Sequence, residues 1–505
     1  MMYTAVRPRH LTGYISWYPL LGLGIGAAAF TALIVGSLAA ALTVGAIVVS
    51  AGAVWRSGEP PVLPFALTYQ SLPIAIPVLF FAVTGHAPLY SPVGDLDGAA
   101  LLSMVGFLCL VAGIRLGAVL FGLERPGTWG CRGGRDDLYD ARRLFLLVVA
   151  LYAVDWVYEI RPSLLFFSIA QFVVAFLALR AVLLVALFYV ILRRGSGYAY
   201  GVAGLLLATL PRFSSVQSAF KELLFMLLIA VLAEWSRLRL GDGRQRRRGR
   251  ALLRSAAVGA AGLVVVGIVW EGAIKPVWRV AGTEGSPVEK VTAFYRTATL
   301  QASRMDVSAS AERLAARLSG GIFFAYVLER VPDVVPHTRG DLLMGALRHV
   351  TQPRFLYPDK ANLGSGSERA ELYAGITVGE GTSVSVGYMA EFYVDFGVPG
   401  MFVPVLVFGV IVGAIYAVAA RLAPSRALFE ATVTVLFVNT FLGFEGNFTK
   451  TLGGMAVSSF VFLGFLALIA PRLHGVLLPD HEAVSPSPTP PVEPGAMGRS
   501  LFRED

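Results

Sequence analysis

The sequence has few charged residues and almost no cysteine. Only 15% of its 505 residues are charged, against roughly 25% in a typical soluble domain. Of its two cysteines, Cys109 lies in an apolar run and Cys131 in a basic stretch, so no disulfide framework is predicted. Apolar residues make up 56% of the chain, and the mean hydropathy is +0.67. This composition predicts a polytopic membrane protein.

Motifs for metal and nucleotide chemistry are also missing. The six histidines are scattered, without HExxH or CxxC, so zinc ligation is not predicted. Without a GxxxxGK[ST] loop or a GxSxG elbow, ATP-driven transport and serine hydrolysis have no support. One DxD motif, Asp95-Leu96-Asp97, could hold a divalent cation, and a solvated loop is the alternative. The sequence therefore predicts neither a metal nor a cofactor.

Long apolar runs give twelve candidate transmembrane spans. A hydrocarbon core about 30 Å thick requires about 20 apolar residues as helix. The uncharged run from Trp17 to Trp55 is too long to cross once, so we divide it at Gly36-Ser37. The predicted spans are residues 17–35, 37–55, 63–83, 99–122, 143–160, 163–192, 198–215, 219–236, 251–270, 399–419, 428–443 and 453–470.

The distribution of lysine and arginine predicts the orientation of these spans. With the N-terminus inside, the cytoplasmic segments carry 23 Lys and Arg residues and the short outer loops carry four. Both termini are therefore predicted to be cytoplasmic. The basic run 237–250 could contact anionic lipid or nucleic acid. Because it joins two spans and has no aromatic residues between its basic ones, we favour a role in keeping this loop on the cytoplasmic side.

These spans divide the chain into four parts. Residues 1–270 form an N-terminal bundle of about nine helices, and residues 271–398 form an extracytoplasmic loop domain. About three helices follow in 399–472, and a Pro-rich tail over 473–505 is predicted to be disordered. The loop segment balances 13 basic against 14 acidic residues, so any anion site in it must be local.

Several arginines lie where a partner is expected. Arg180 falls within an apolar run, where a charge costs at least about 2.5 to 3.5 kcal/mol. It should face a partner or a wet cavity, or else snorkel to an interface. Residues 305–318 predict a helix with Arg313 and Arg317 on one face. That helix either rests at the membrane surface or packs against the protein.

The stretch PRFLYPDK, residues 353–360, places cations on the predicted outer side. Its two prolines stiffen the chain and so aim Arg354 and Lys360. A guanidinium beside an ammonium group suits phosphate oxygens. A phosphate or diphosphate site is therefore one interpretation, and ordinary surface ion pairs are the other.

Charged and aromatic residues also lie near other predicted outer ends of the transmembrane spans. Arg212 and Lys221 flank a short outer loop, which would hold both charges at the interface. Tyr357 and Tyr393 could stack on sugar faces or belong to an aromatic belt. Glu391 lies in an aromatic and glycine-rich stretch that leads into the tenth span.

These residues resemble a known family. The stretch VPHTRGDLLMGALRHVTQPRFLYPDK (335–360) is similar to the O-antigen polymerase (Wzy-type) family, also called oligosaccharide repeat unit polymerases. A further similarity is FSSVQSAFKELL (213–224). The matching positions that lead into the tenth span are Gly387, Glu391, Tyr393, Phe396, Gly397 and Gly400.

The resemblance implies a fold, a reaction and partners. The fold is an all-α, GT-C-like bundle of about twelve transmembrane helices, with one large extracytoplasmic loop between spans nine and ten. The activity is that of a metal-independent glycosyltransferase at the outer leaflet of the bacterial cytoplasmic membrane. It would transfer a growing glycan from undecaprenyl diphosphate to the non-reducing end of an incoming lipid-linked repeat unit.

The same resemblance implies membrane lipid, a flippase and a chain-length regulator as partners, and no nucleic acid. The alternatives are an O-antigen ligase-type transferase and a lipid-sugar flippase or transporter.

Roles for single residues follow as a hypothesis. Preplaced cations would stabilise the departing diphosphate, and a buried carboxylate would take the proton from the hydroxyl group of the acceptor sugar. Glu391 is the predicted base, with His337 or His349 as the alternative. The remaining candidates are Arg354 and Lys360 for catalysis, and Arg212, Lys221, Arg313, Arg317, Arg180, Tyr357 and Tyr393 for substrate binding.

Overall fold

The structure is a computed structural model, and every regular element that it describes is a helix. It describes residues 17–56, 59–85, 95–122, 139–160, 170–209, 219–239, 242–269, 306–352, 356–357, 366–377, 384–442 and 447–479.

Ten described helices precede residue 270. They are α1 (Trp17–Val35), α2 (Leu38–Ala53), α3 (Val62–Thr84), α4 (Leu96–Leu120), α5 (Ala141–Ile160), α6 (Ala170–Leu177), α7 (Leu179–Arg194), α8 (Tyr198–Thr209), α9 (Ala219–Leu238) and α10 (Gly243–Val269).

Nine more follow residue 305. They are α11 (Val307–Arg317), α12 (Gly321–Arg330), α13 (Asp341–Thr351), α14 (Gly366–Arg369, continued by a π turn over Ala370–Ala374), α15 (Tyr388–Gly400), α16 (Phe402–Leu422), α17 (Arg426–Leu442), α18 (Phe448–Gly464, continued by a π turn over Phe465–Ile469) and α19 (Ala470–Leu477).

Each of the twelve predicted spans coincides with helix over its described part. Within the described ranges, seven stretches are long and apolar enough to cross a membrane: α1, α3, α4, α6 with α7, α10, α16, and α18 with its continuation through α19. α2 and α8 are apolar but shorter. A multi-pass membrane protein is thus supported, while the count of twelve spans stays a prediction.

Helix ends fall where the sequence supplies caps and breaks. The predicted division at Gly36-Ser37 is confirmed as a helix break, because Gly36 has a φ of +72° and Ser37 caps α2. Asp95 caps α4 and Asn447 caps α18 in the same way. The predicted span 163–192 is broken at Ala178 into α6 and α7.

α7 and α17 form the centre of the bundle. Both are apolar nearly all round, and their middle turns are buried on every side, as expected for helices enclosed by others. α1 and α10 lie at the periphery and keep most of their apolar side chains exposed. The described part of 271–398 packs onto this bundle, and Phe324, Tyr373 and Phe392 belong to the same core as α7 and α17.

α4 and α16 pack through two reciprocal GxxxG motifs. A Cβ atom added at Gly113 would lie 2.2 Å from the Leu406 carbonyl oxygen, and one at Gly409 would lie 2.4 Å from that of Leu110. Gly117 and Gly413 complete the two motifs with equally close contacts. Small residues at this spacing let helix backbones approach closely in a membrane. This contact fixes α16, and with it α15, against the bundle.

Candidate functional site

Charged side chains collect at two opposite ends of the bundle. α16 runs from one end to the other, with α15 before it and Arg421 in its last turn. We call the end that holds Arg56, Arg193 and Arg426 the arginine end. The end that holds α13, α14 and α15 is called the cavity end.

At the arginine end, buried arginines are paired with buried glutamates. Arg56 Nη1 lies 3.1 Å from Glu59 Oε1, and Tyr416 donates its hydroxyl to Glu59 Oε2 at 2.8 Å. Arg193 forms an ion pair with Glu430 on α17. A cavity of about 10 Å³ beside Arg56 and Glu59 has room for one water molecule. These contacts neutralise charge between helices, and the cavity described beside them is too small for a ligand larger than water.

At the cavity end, two carboxylates of α15 bind the starts of two other helices. Glu391 and Asp395 are four residues apart and so share a face of α15. Glu391 Oε2 accepts the backbone N–H of Phe448, the first residue of α18, at 2.7 Å. Asp395 accepts the N–H groups of Leu342 and Leu343 in α13 at 3.0 and 2.8 Å. Each carboxylate thus satisfies N–H groups that a helix start leaves unpaired.

Arg369 pairs with Glu391 and was not among the predicted site residues. It ends α14, is 9% exposed and donates Nη1 to Glu391 Oε1 at 2.7 Å. Burial raises the pKa of Glu391, while Arg369 and the Phe448 N–H act in the opposite direction. No spacing rule connects the two residues, which are 22 positions apart. The fold brings them together, because the π turn that continues α14 and the helix α15 both pack against α12.

A cavity of about 380 Å³ opens beside Arg369, between α13 and α14. Arg369 and Tyr373 are its buried polar residues, and burial raises the pKa of the Tyr373 hydroxyl. Asp341 and Glu368 add exposed carboxylates, so the described part of the lining offers one cation, two carboxylates and hydroxyl groups. The volume is in the range of small-molecule sites. The lining residues are Thr338, Asp341, Leu342, Gly345, Glu368, Arg369, Leu372 and Tyr373.

Much of the predicted cation set cannot be placed. Arg354, Lys360 and Arg212 lie outside the described residues, as does the side chain of Lys221. Tyr357 is described and is 48% exposed. Their predicted roles therefore stay predictions.

Tyr393 does not line the cavity. Its hydroxyl donates to the Val331 carbonyl oxygen at 3.0 Å, and its ring meets Phe324 and His337 edge-on. His337 in turn has Nδ1 3.2 Å from the Val394 carbonyl oxygen. These contacts give Tyr393 a packing role between α12 and α15.

Arg313 and Arg317 lie on the exposed face of α11, a helix that coincides with the one predicted over 305–318. Arg313 Nε donates to the Ala309 carbonyl oxygen of its own helix at 3.1 Å. α11 packs against α10 and α3, and it does not form a wall of the cavity. The two arginines and the cavity are therefore separate features.

Arg180 has a partner inside the bundle, which is one of the alternatives that the sequence leaves open. Its Nη1 lies 3.0 Å from Asp155 Oδ1 on α5, and both side chains are nearly buried. The same nitrogen donates to the Leu177 carbonyl oxygen at the break between α6 and α7. The guanidinium also lies over the Tyr152 ring, 5.5 Å from its centre. The charge is thus neutralised inside the bundle.

The DxD motif is explained by helix capping. Asp95 Oδ1 accepts the Gly98 N–H at 2.7 Å, and Asp97 lies in the first turn of α4. Within the described ranges, no three His, Cys, Asp or Glu side chains are grouped to hold a metal ion.

Comparison with known proteins gives one match. Residues 276–464 match a family described as a domain of unknown function (DUF8712). The matched segment is less than half of the chain, and it includes the cavity, Arg369, Glu391 and Asp395. No curated protein and no solved structure matches the sequence.

Proposed function

We propose that this chain is a glycosyltransferase of the bacterial cytoplasmic membrane that polymerises lipid-linked oligosaccharide repeat units. The anomeric carbon of the growing glycan would lose its bond to undecaprenyl diphosphate. It would form a new bond to a hydroxyl oxygen at the non-reducing end of an incoming repeat unit, and the hydroxyl proton would pass to a protein carboxylate. The resemblance of residues 335–360 to Wzy-type polymerases motivates this reaction.

The observation that carries the proposal is the polar cavity at the end opposite the arginine end. Since arginine-rich segments face the cytoplasm, we infer that the cavity faces the outer leaflet. Its two walls, α13 and α14, are consecutive helices, and the segment between them in the chain contains Arg354 and Lys360. A cation at the cavity and two more in the adjoining segment support binding of a diphosphate leaving group.

We assign the diphosphate charge to Arg369 together with Arg354 and Lys360. Positioned cations stabilise a leaving group as its charge develops. Both oxygens of Glu391 already accept hydrogen bonds, so this residue first acts by holding Arg369 at the wall. If Arg369 moves to the diphosphate, Glu391 is released, and its raised pKa suits proton acceptance. Asp341, at the cavity surface, is the competing base.

The direct test is elongation by purified protein. Incubation with a lipid-linked repeat unit in the presence of EDTA should give a ladder of longer products. Arg369→Ala should lower the turnover number about 10²- to 10³-fold, the size expected for loss of one transition-state donor. Arg348→Ala is the matched control, because Arg348 is exposed on α13 and does not line the cavity.

The two candidate bases are separated by Glu391→Gln and Asp341→Asn. Substitution of the residue that acts as the base should lower the turnover number and remove the fall in rate at low pH. The other variant should keep that fall in rate.

A folded wild-type protein that makes no ladder contradicts the proposal. In cells without the protein, single repeat units on the lipid support a polymerase, and long polymer on undecaprenyl diphosphate supports a ligase.

One observation favours a transporter as the second candidate. Asp155 and Arg180 form an ion pair within apolar helices, beside the break between α6 and α7. Broken helices and interior charges are typical of transporter binding sites. Movement of a fluorescent lipid-linked sugar across proteoliposomes, measured per folded protein, would support transport over elongation if it is lost in Asp155→Asn and kept in Arg369→Ala.

A further inference from the structure

The first turns of α10 carry a row of exposed arginines. Arg247, Arg250 and Arg254 are all exposed, and their spacings of three and four residues place them on one side of the helix. We call these three residues the α10 arginine face. Arg248 points elsewhere and donates to the Leu192 carbonyl oxygen of α7. α10 is held to the bundle by this contact and by its packing against α9.

The α10 arginine face lacks compensating charge in its own sequence. Asp242 is the only acidic residue from 239 to 269, and its Oδ1 already accepts the Gln245 N–H at 2.8 Å. Like charges three or four residues apart destabilise a helix. An anion from outside the chain would relieve this repulsion.

The same side of the helix continues into an apolar surface. Val258 and Val265 follow Arg254 at helical spacing and are 73% and 58% exposed. α10 is one of the seven stretches able to cross a membrane, and only 6% of its most apolar window is buried. One side of α10 is therefore charged in its first turns and apolar further along the helix.

A nearby aromatic cluster lies at the same end of the bundle. Trp55 and Trp235 meet edge-on with ring centres 6.3 Å apart, and the Arg239 guanidinium lies 5.2 Å from the Trp235 ring centre. Tryptophans in membrane proteins are enriched at the level of the lipid headgroups. This position suits contact with headgroups, where arginine and tryptophan are both favoured.

We infer that the α10 arginine face binds the phosphate groups of anionic phospholipids, with the acyl chains lying along Val258 and Val265. Arginine forms bidentate hydrogen bonds with phosphate. A zwitterionic headgroup also contains a phosphate, but its positive group cancels the net charge, so an anionic headgroup is preferred. This inference does not depend on the proposed glycosyltransferase activity. It assigns to the basic run a lipid-binding role beyond setting the orientation of two spans.

The test is lipid retention by the full-length protein. Native mass spectrometry after exchange into mixed micelles should show phosphatidylglycerol retained over phosphatidylcholine. Arg247→Gln/Arg250→Gln/Arg254→Gln should weaken phosphatidylglycerol binding by about fivefold per arginine removed, since each surface arginine contributes about that factor. The matched control, Arg142→Gln/Arg421→Gln/Arg472→Gln, removes three exposed arginines from three other helices and should keep the preference.

Two further measurements test the inference if the triple glutamine variant does not insert correctly into the membrane. The corresponding triple lysine variant retains the charge and should keep most of the preference. Raising the salt concentration should weaken phosphatidylglycerol retention by the wild type. Equal loss in the α10 and control variants, a wild-type preference that ignores salt, or tighter binding of duplex DNA than of phosphatidylglycerol would each overturn it.

Discussion

Arg369 and Glu391 lie 22 residues apart in the sequence and share one buried ion pair at the cavity end. The carboxylate also accepts the Phe448 N–H, so three segments of chain meet at a single side chain. Burying a charge is unfavourable unless a partner compensates for it. The position of Arg369 at the cavity wall therefore depends on Glu391.

Removing Arg369 alone should destabilise the protein more than removing both charges. Arg369→Ala leaves Glu391 buried without its cation, and we expect a loss of about 3 to 5 kcal/mol in unfolding free energy. Arg369→Met/Glu391→Gln should lose less, because no charge is stranded and the amide oxygen can still accept the Phe448 N–H. Denaturant unfolding in detergent, followed by tryptophan fluorescence, measures both.

The exposed Arg348 provides the control for this comparison. Arg348→Ala should change the free energy of unfolding by no more than about 0.5 kcal/mol. If Arg369→Ala behaves like Arg348→Ala, the buried pair does not stabilise the cavity end.

The Asp155–Arg180 pair gives a second prediction for single residues. Asp155→Asn leaves Arg180 without its counterion inside an apolar helix, at a cost of about 2.5 to 3.5 kcal/mol. We expect a lower melting temperature and less protein recovered from the membrane. Asp97→Asn, which changes an exposed carboxylate in the first turn of α4, should change neither measurement. Similar losses in both variants would argue against the pair.

At the scale of elements, local sequence was sufficient to find the long apolar helices, but neither the short helices α12, α13 and α14 nor the contacts between helices. Apolar length located the predicted spans, and Gly36-Ser37 marked a break that the structure confirms. The GxxxG motifs of α4 and α16 are present in the sequence but do not predict this contact. A motif of this kind does not name its partner, and only the packed structure pairs Gly113 with Gly409.

The glycine contact predicts opposite effects for the same substitution. In Gly409→Ala the new Cβ would lie 2.4 Å from the Leu110 carbonyl oxygen, so α4 and α16 must separate, at about 1 to 3 kcal/mol. In Gly26→Ala on α1 nothing lies within 4 Å, and alanine should be neutral or stabilising by up to about 1 kcal/mol. Thermal unfolding of both variants tests this, and a melting temperature for Gly409→Ala at or above wild type would contradict the contact.

At the scale of the whole molecule, the arginine end and the cavity end lie at opposite ends of α16. The proposed function requires these ends to face opposite sides of the membrane. Val334 is 64% exposed near the cavity end, and Gln245 is exposed at the start of α10 near the arginine end. In a background without Cys109 and Cys131, Val334→Cys should react with an impermeant maleimide added outside spheroplasts. Gln245→Cys should react only after lysis, and the reverse pattern would exclude an outer-leaflet cavity.

The sequence by itself determined that the chain is apolar, helical and divided into membrane-length segments, because these properties depend on residues close together along the chain. It also indicated that Arg180 needed a partner, a wet cavity or access to an interface, since an isolated charge in an apolar run is costly whatever the fold. Only the tertiary structure decided that the partner is Asp155, that Arg369 and Glu391 pair beside a cavity, and that Asp395 caps α13. Such contacts join residues from separate helices, so they depend on how the helices pack rather than on any local pattern.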